Sequence, residues 1–365
     1  MVGNPTRIAL ACALVAGPVV CGTGAAQAQP HPNPGHATLV VSPGSGTPIQ
    51  NAVNRAHAGD TIKVRPGRYA ENVVVTKSLT LMGSGWGKNG TVLTQPKKPR
   101  KTTCEDSNGI CVTGRLDKKG NVVRAVAHVK VTGFEVRGFS GSGVVGFGTD
   151  DFRAWHIKAV GNKEYGVTSF HGTNSRLTDN DATGSGEAGI YLGDSPKARG
   201  WVGHNNAWNN AIGVLVRDST GVTVAGNRAD GNCAGILAVN TGEGAIAGGD
   251  MTLRDNRANG NSRHCAAEED VPPLSGIGIG LAGVHNVKVT HNTADGNRKT
   301  GASIASGGIA VFSTKGIGGA DARDNQVVGN EALGNRPYDL FWDRKGKNNV
   351  FKNNKHNTSS PANLG

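Results

Sequence analysis

The sequence predicts an all-β, single-domain solenoid of short stacked strands, and three observations carry that reading. A Gly-aliphatic pair recurs at Gly143-Val144, Gly166-Val167, Gly189-Ile190, Gly213-Val214 and Gly235-Ile236, in steps of 23, 23, 24 and 22 residues, and returns at Gly278-Ile279 and Gly308-Ile309. An N-x-A-x-x-N hexad follows most of these pairs at a nearly fixed distance: Asn205 to Asn210, Asn227 to Asn232, Asn256 to Asn261 and Asn292 to Asn297, with valine replacing alanine in Asn325 to Asn330. Composition agrees, since 56 of 365 residues are glycine while Trp, Tyr and Phe number only 5, 4 and 8. Without a Gly-X-Y period collagen is excluded, and 18% charged residues without heptads argue against a coiled coil.

Short alternating runs between turns, such as Val222-Thr223-Val224 and Val287-Lys288-Val289, supply the strands. One turn of about 22 residues cannot bury its apolar face alone, so stacked turns share a continuous core. Leucine-rich repeats have a similar length but need a leucine framework, whereas the recurring apolar sites here are alanine, valine, isoleucine and glycine. Asparagine at the same place in every coil ladders its amide up the stack and tolerates left-handed corners. Interruptions at 96–121, 240–250, 263–275 and 298–306 read as projecting loops. Near the end, Pro337 to Trp342 concentrates aromatic residues that suit closure of the final coil, with Trp342 as an alternative stacking platform for sugars.

On these repeats the chain resembles the right-handed parallel β-helix proteins of the pectin-lyase-like superfamily, with their PbH1 repeats. The N-terminal run shares the resemblance: Pro48 to Val53, Ala58-Gly59-Asp60-Thr61-Ile62, Val64-Arg65-Pro66-Gly67-Arg68-Tyr69, Glu71-Asn72-Val73 and Ser78 to Leu81. The resemblance covers residues 38–355 and implies a short N-terminal capping helix followed by coils. Roughly ten coils are expected, each adding ~4.8 Å. Ile49, Val53 and Ala56 fall on one helical face, which suits a lid over the open end of the core.

Residues 1–28 read as a secretory signal peptide, with Arg7 as the positive start, Ile8 to Val20 mostly apolar, and Ala26-Gln27-Ala28 as the cleavage pattern. Cys21 lacks the small preceding residue of a lipobox. Residues 29–37 and 356–365 are expected as flexible ends, and no later run is long enough to cross a bilayer. A secreted monomer is therefore expected. The net charge of +12 favours acidic partners: uronic-acid polysaccharides or other cell-wall polymers, with no specific nucleic acid. Its densest basic cluster, Lys97, Lys98, Arg100 and Lys101, reads as an exposed loop. Four cysteines remain after cleavage, and an oxidising compartment favours bridges; the pairing expected is Cys104 with Cys111 and Cys233 with Cys265.

Fold leaves function open, because the superfamily includes lyases, hydrolases, epimerases and proteins without known catalysis. Asp150-Asp151 and Phe170-His171-Gly172 match part of the polygalacturonase pattern, but the first acidic element and the later Arg-Ile-Lys are missing. The Asp-Pro-His motif of alginate epimerases is absent too. Counting five residues beyond each Gly-aliphatic anchor gives Gly148, His171, Asp194, Asp218 and Asn240. If coils stack in register, His171, Asp194 and Asp218 form an exposed polar column with neighbours ~5 Å apart. That column is the candidate catalytic site, with Lys197 and Arg199 binding substrate carboxylates. Turn capping is the structural reading of the same residues. No metal site is expected, although calcium between Glu187, Asp194 and Asp218 is the cofactor such oxygen ligands would suit. Two functions follow: an enzyme on an acidic polysaccharide acting by elimination, hydrolysis or epimerisation, or a non-catalytic module binding glycan or cell-wall polymer.

Overall fold

A computed structural model describes residues 35–99, 104, 107–242, 248–268 and 271–364. The expected signal peptide, Arg100 and Lys101 lie outside the described residues. Within the unit His36–Gly365, the described residues form two long sheets of seventeen and eleven strands. Their pairings are parallel throughout, for example Val144 with Val167, Val167 with Ile190 and Ile190 with Val214. The series continues through Ile236, Ile279, Ile309 and Leu340. The aliphatic member of every repeat pair thus stands in one inward column, buried in a single core. The chain is a parallel β-helix.

The glycine of each pair has a packing reason. A β-carbon at Gly213 would lie 2.6 Å from the Gly235 carbonyl oxygen, 2.8 Å from Ala229 Cβ and 2.9 Å from Asn232 Nδ2. Ala229 and Asn232 belong to the next coil's hexad, so the pair and the hexad are two halves of one crowded layer. The first hexad asparagines form a buried ladder. Asn205 donates to Asn227 Oδ1, Asn227 to Asn256 Oδ1 and Asn256 to Asn292 Oδ1, each from both its backbone N–H and its Nδ2. A second ladder runs through Asn210, Asn232, Asn261, Asn297 and Asn335 and ends on Asp339. A carboxylate only accepts, so it suits the last rung.

The capping helix is Pro48–Arg55, with Ile49, Ala52 and Val53 buried. Pro48 sits where a missing N–H costs nothing. Thr47 makes no side-chain cap; the buried Glu71 of a following coil accepts instead from the N–H groups of Ile49 and Gln50, at 3.0 and 2.9 Å. A carboxylate at that end also favours the helix dipole.

Two expectations about segments are revised. The stretch 96–121 is not wholly a loop, because Ile110–Thr113 is a full rung paired with Val73–Val75 and Val144–Phe147. Gly109-Ile110 is in fact another Gly-aliphatic pair, hidden because the excursion after it holds the hairpin Arg115–Leu116 with Val122–Arg124. Past residue 355, where a tail was expected, Ser359 and Ser360 pair with Leu340 and Phe341, which brings the second sheet to eleven rungs. Both disulfides are formed as expected, with Cα separations of 6.2 Å for Cys104–Cys111 and 5.9 Å for Cys233–Cys265.

Candidate functional site

The predicted column exists as a backbone feature. Phe147, Phe170, Gly193 and Arg217 are aligned on successive rungs of the eleven-stranded sheet. The next residue on each, Gly148, His171, Asp194 and Asp218, has a positive φ between 45° and 61°. Glycine, aspartate and histidine occur there because few other residues tolerate that conformation at a corner. Turn chemistry therefore accounts for their residue types.

Their side chains diverge in environment. His171 is exposed and lies edge-on to Phe147, ring centres 5.1 Å apart. Asp194 is half-buried; it accepts from the Tyr191 hydroxyl at 3.0 Å and from Nη2 of Arg217 at 3.2 Å. Asp218 was expected on the exposed column but is fully buried, because the chain beyond the next rung folds over it. Thr241 donates to its carboxylate through the backbone N–H at 2.7 Å and the hydroxyl at 2.5 Å. Lys197 and Arg199 stand exposed on the turn after strand Ala188–Ser195.

What joins the two aspartates is Arg217, which the sequence reading missed. Its Nε is 3.7 Å from Asp218 and its Nη2 bonds Asp194, so one guanidinium serves both carboxylates. It also lies over the Tyr191 ring, 5.7 Å from the centroid. Tyr191 in turn stacks on Tyr165 at 4.7 Å and meets Phe170 at 4.8 Å. The missed residues had a signal: Tyr191 and Arg217 fall two and four places after their repeat glycines, the outward positions of a strand.

Electrostatics follow from burial and this charge arrangement. Burial pushes the Asp218 carboxyl above its ordinary value, opposed by the Thr241 bonds and Arg217. Burial and the neighbouring Asp194 hold the Tyr191 phenol far above its usual pKa, so it stays protonated and donates. Burial works against the Arg217 cation and the Asp194 carboxylate favours it; on balance its pKa is raised. Tyr165 is likewise raised by burial and by Glu187 beside it. The guanidinium takes the place between Asp194 and Asp218 that a calcium ion would need, and among the described residues no three His, Cys, Asp or Glu side chains cluster to hold a metal.

Of these groups Tyr165, Glu187, Arg217 and Thr241 line a cleft of about 300 Å³ on the outer face of the sheet; Asp194 reaches it only through its bond to Arg217. Glu187, Arg217, Thr241, Glu268 and Thr314 are among its polar lining, and Leu215, Leu237 and Phe312 lie among its apolar walls. One wall is the antiparallel pair His264–Cys265 with Leu274–Ser275, fastened to the sheet by Cys233–Cys265.

Residues 120–315 match the family described as right handed beta helix region, which is more than half of the chain. The chain belongs to the right-handed β-helix family. Solved β-helix structures show the same architecture. The A-module of Azotobacter vinelandii mannuronan C-5 epimerase AlgE6 is 16% identical, with a TM-score of 0.64 over 86% of this chain and 83% of that one. The AlgE4 A-module of the same organism is 17% identical, with a TM-score of 0.59 over 84% and 90%. A family 28 exopolygalacturonase of Yersinia enterocolitica is 12% identical, with a TM-score of 0.55 over 88% and 76%. No curated protein matches the sequence. Likeness at these identities establishes the β-helix and nothing finer. No helix among the described residues is long and apolar enough to cross a membrane.

Proposed function

We propose that this β-helix is a secreted enzyme acting on an acidic polysaccharide, and that it works by removing the proton next to a uronate carboxylate. The observation that carries the reading is Arg217 held against Asp194, with the Tyr191 hydroxyl on the same carboxylate. Proton abstraction next to a carboxylate needs a base and a nearby cation. Asp194 is the base, oriented by Tyr191 and Arg217. As the C–H proton passes to Asp194, the bonding electron pair moves into the uronate carboxylate, and Arg217 together with the exposed Lys197 and Arg199 neutralises the charge that gathers there.

Return of a proton to the opposite face completes an epimerisation; loss of the bond to the next sugar completes an elimination, with His171 protonating the departing oxygen. Hydrolysis fits less well, because it asks for two reachable carboxylates and Asp218 is buried under Thr241. In this reading Asp218 positions Arg217. The β-helix epimerases of Azotobacter vinelandii, named for mannuronan, agree with a uronate substrate. The two disulfides agree with export.

The test is incubation of the purified protein with polymannuronate, polyguluronate and polygalacturonate. Unsaturated ends are read by absorbance, inverted residues by NMR, and new reducing ends by a colorimetric assay. Asp194→Asn should lower turnover about 10²–10⁴-fold with its melting temperature nearly unchanged. Full activity in that variant, or reducing ends without unsaturated or inverted residues, would reject the mechanism. Polymer binding without any turnover would favour the non-catalytic module.

A further inference from the structure

The outer face of the seventeen-stranded sheet carries a separate arrangement of cations and aromatic rings. Lys130, Arg153 and Arg176 are aligned on three consecutive coils, and Trp201 follows on the fourth. Their neighbours Val131, Ala154 and Leu177 are buried in the core, so by strand alternation the three cations point outward. Asp151 holds Arg153 at 2.8 Å. Two residues further along the strand of Arg153, Trp155 lines an open cleft of about 540 Å³ together with Trp86 and His156. Trp86 is 40% exposed, unusual for so large an apolar side chain, and meets His156 edge-on with ring centres 6.5 Å apart. Gly83, Gly85 and Gly133 also line the cleft, so no side chain of theirs fills the space beside these rings.

We propose that this cleft and the adjoining Lys130–Arg153–Arg176 ladder form a second glycan site, which holds an anionic polysaccharide along the solenoid axis without breaking it. The rungs place the backbones that carry these cations ~4.8 Å apart. That is close to the length of one pyranose ring, and a polyuronate offers one carboxylate per ring. The apolar faces of sugar rings fit against exposed tryptophan as other flat apolar surfaces do. Duplex DNA, whose strands each carry a phosphate every ~3.4 Å along the helix axis, falls out of step with the ladder. The site lies on the other sheet from Arg217 and Asp194, and its binding does not depend on their chemistry.

The experiment uses the full chain with Arg217→Met added, so that the groove does not dominate binding. Affinity for size-defined oligogalacturonate and oligomannuronate is measured by calorimetry at low salt. Lys130→Glu with Arg176→Glu should weaken binding at least about tenfold and flatten its salt dependence. Trp86→Ala should weaken it at every salt concentration and lower any tryptophan fluorescence change on binding. Thermal melts check that each variant is folded; Lys130→Glu and Arg176→Glu singly supply a graded series if the double variant is not. In the chain without Arg217→Met, Trp86→Ala should leave turnover of short oligomers unchanged. Wild-type affinity in both the ladder and Trp86 variants would overturn the second site, as would equal affinity for a short DNA duplex. Loss of all binding through Arg217→Met alone would also overturn it, while leaving the groove mechanism standing.

Discussion

Nη2 of Arg217 lies 3.2 Å from each carboxylate oxygen of Asp194 on the adjacent coil, while its Nε approaches Asp218, its neighbour in sequence. A planar guanidinium spans both contacts, and an ammonium acts as a point charge. Arg217→Lys should therefore keep some charge compensation yet lose the orientation of Asp194. The expected outcome is a fall in kcat of about 10–100-fold with a smaller change in KM, read from steady-state kinetics on the best uronate polymer. Arg217→Met should also destabilise by about 1–3 kcal/mol, because the buried Asp218 loses its cation. Wild-type kcat in Arg217→Lys would reduce the guanidinium to a structural role.

Asp339 ends the second asparagine ladder. It accepts from the backbone N–H and Nδ2 of Asn335 and from the N–H groups of Asn357 and Thr358. Burial pushes its carboxyl up, but these donors outweigh burial and hold it below its ordinary 3.8. A carboxyl depressed in the folded state contributes stability that is present above its unfolded pKa and is lost as pH falls through the folded value. Melting curves between about pH 5 and pH 2 should thus show an acid loss that Asp339→Asn flattens, with a lower melting temperature for that variant at neutral pH. Parallel curves would remove Asp339 from the acid limb.

The internal ladder makes a second stability prediction. Asn227 accepts two bonds from Asn205 and donates to Asn256 Oδ1 and to the Val202 carbonyl at 2.9 Å each. Asn227→Leu strands these buried partners, at a cost of about 1–3 kcal/mol in denaturant unfolding. A change below a few tenths would mean the ladder relaxes around the leucine.

The fold was legible because its packing unit is written in close contacts. Gly213, Ala229 and Asn232 leave no room for larger residues, so the repeat survives in the sequence wherever the coil survives in space. The backbone column through His171, Asp194 and Asp218 was legible for the same reason. Exposure was not, because the cover over Asp218 comes from Thr241, beyond the next rung, in a stretch with no repeat to count from. Arg217 escaped notice because outward positions are free to vary from coil to coil: its rung neighbours in the column are Gly193 and Val239.

The N-terminal cap depends on a residue from a different coil. Glu71 is fully buried and gives one oxygen to each of the Ile49 and Gln50 N–H groups. Glu71→Ala removes both acceptors and should cost about 1–3 kcal/mol, whereas Glu71→Gln retains one acceptor oxygen and should cost less. Hydrogen exchange at the amides of Ile49 and Gln50 distinguishes this from a general loss of packing: in Glu71→Ala these two should lose protection before the inner rungs do.

The last prediction concerns the Cys233–Cys265 bridge, which closes a separation of 32 residues. On the chain-entropy account a loop of that size contributes about 3–4 kcal/mol by restricting the unfolded chain. Its local role differs from its global one. Cys233 is buried in the outer-face cluster with Leu237 and Leu274, and Cys265 stands in the wall of the cleft beside Arg217. Replacing both cysteines with serine should lower the melting temperature and also loosen the wall formed by His264–Cys265 and Leu274–Ser275, exposing the apolar lining of the cleft. A fluorescent probe of apolar surface should then bind the folded variant more strongly than the wild type, and KM for polymer should rise more than kcat falls. Removing Cys104–Cys111 is the control: that bridge closes a separation of only 7 residues and neither of its cysteines lines this cleft, so it should leave probe binding and KM unchanged. Equal probe binding in both double variants would limit Cys233–Cys265 to its effect on the unfolded chain.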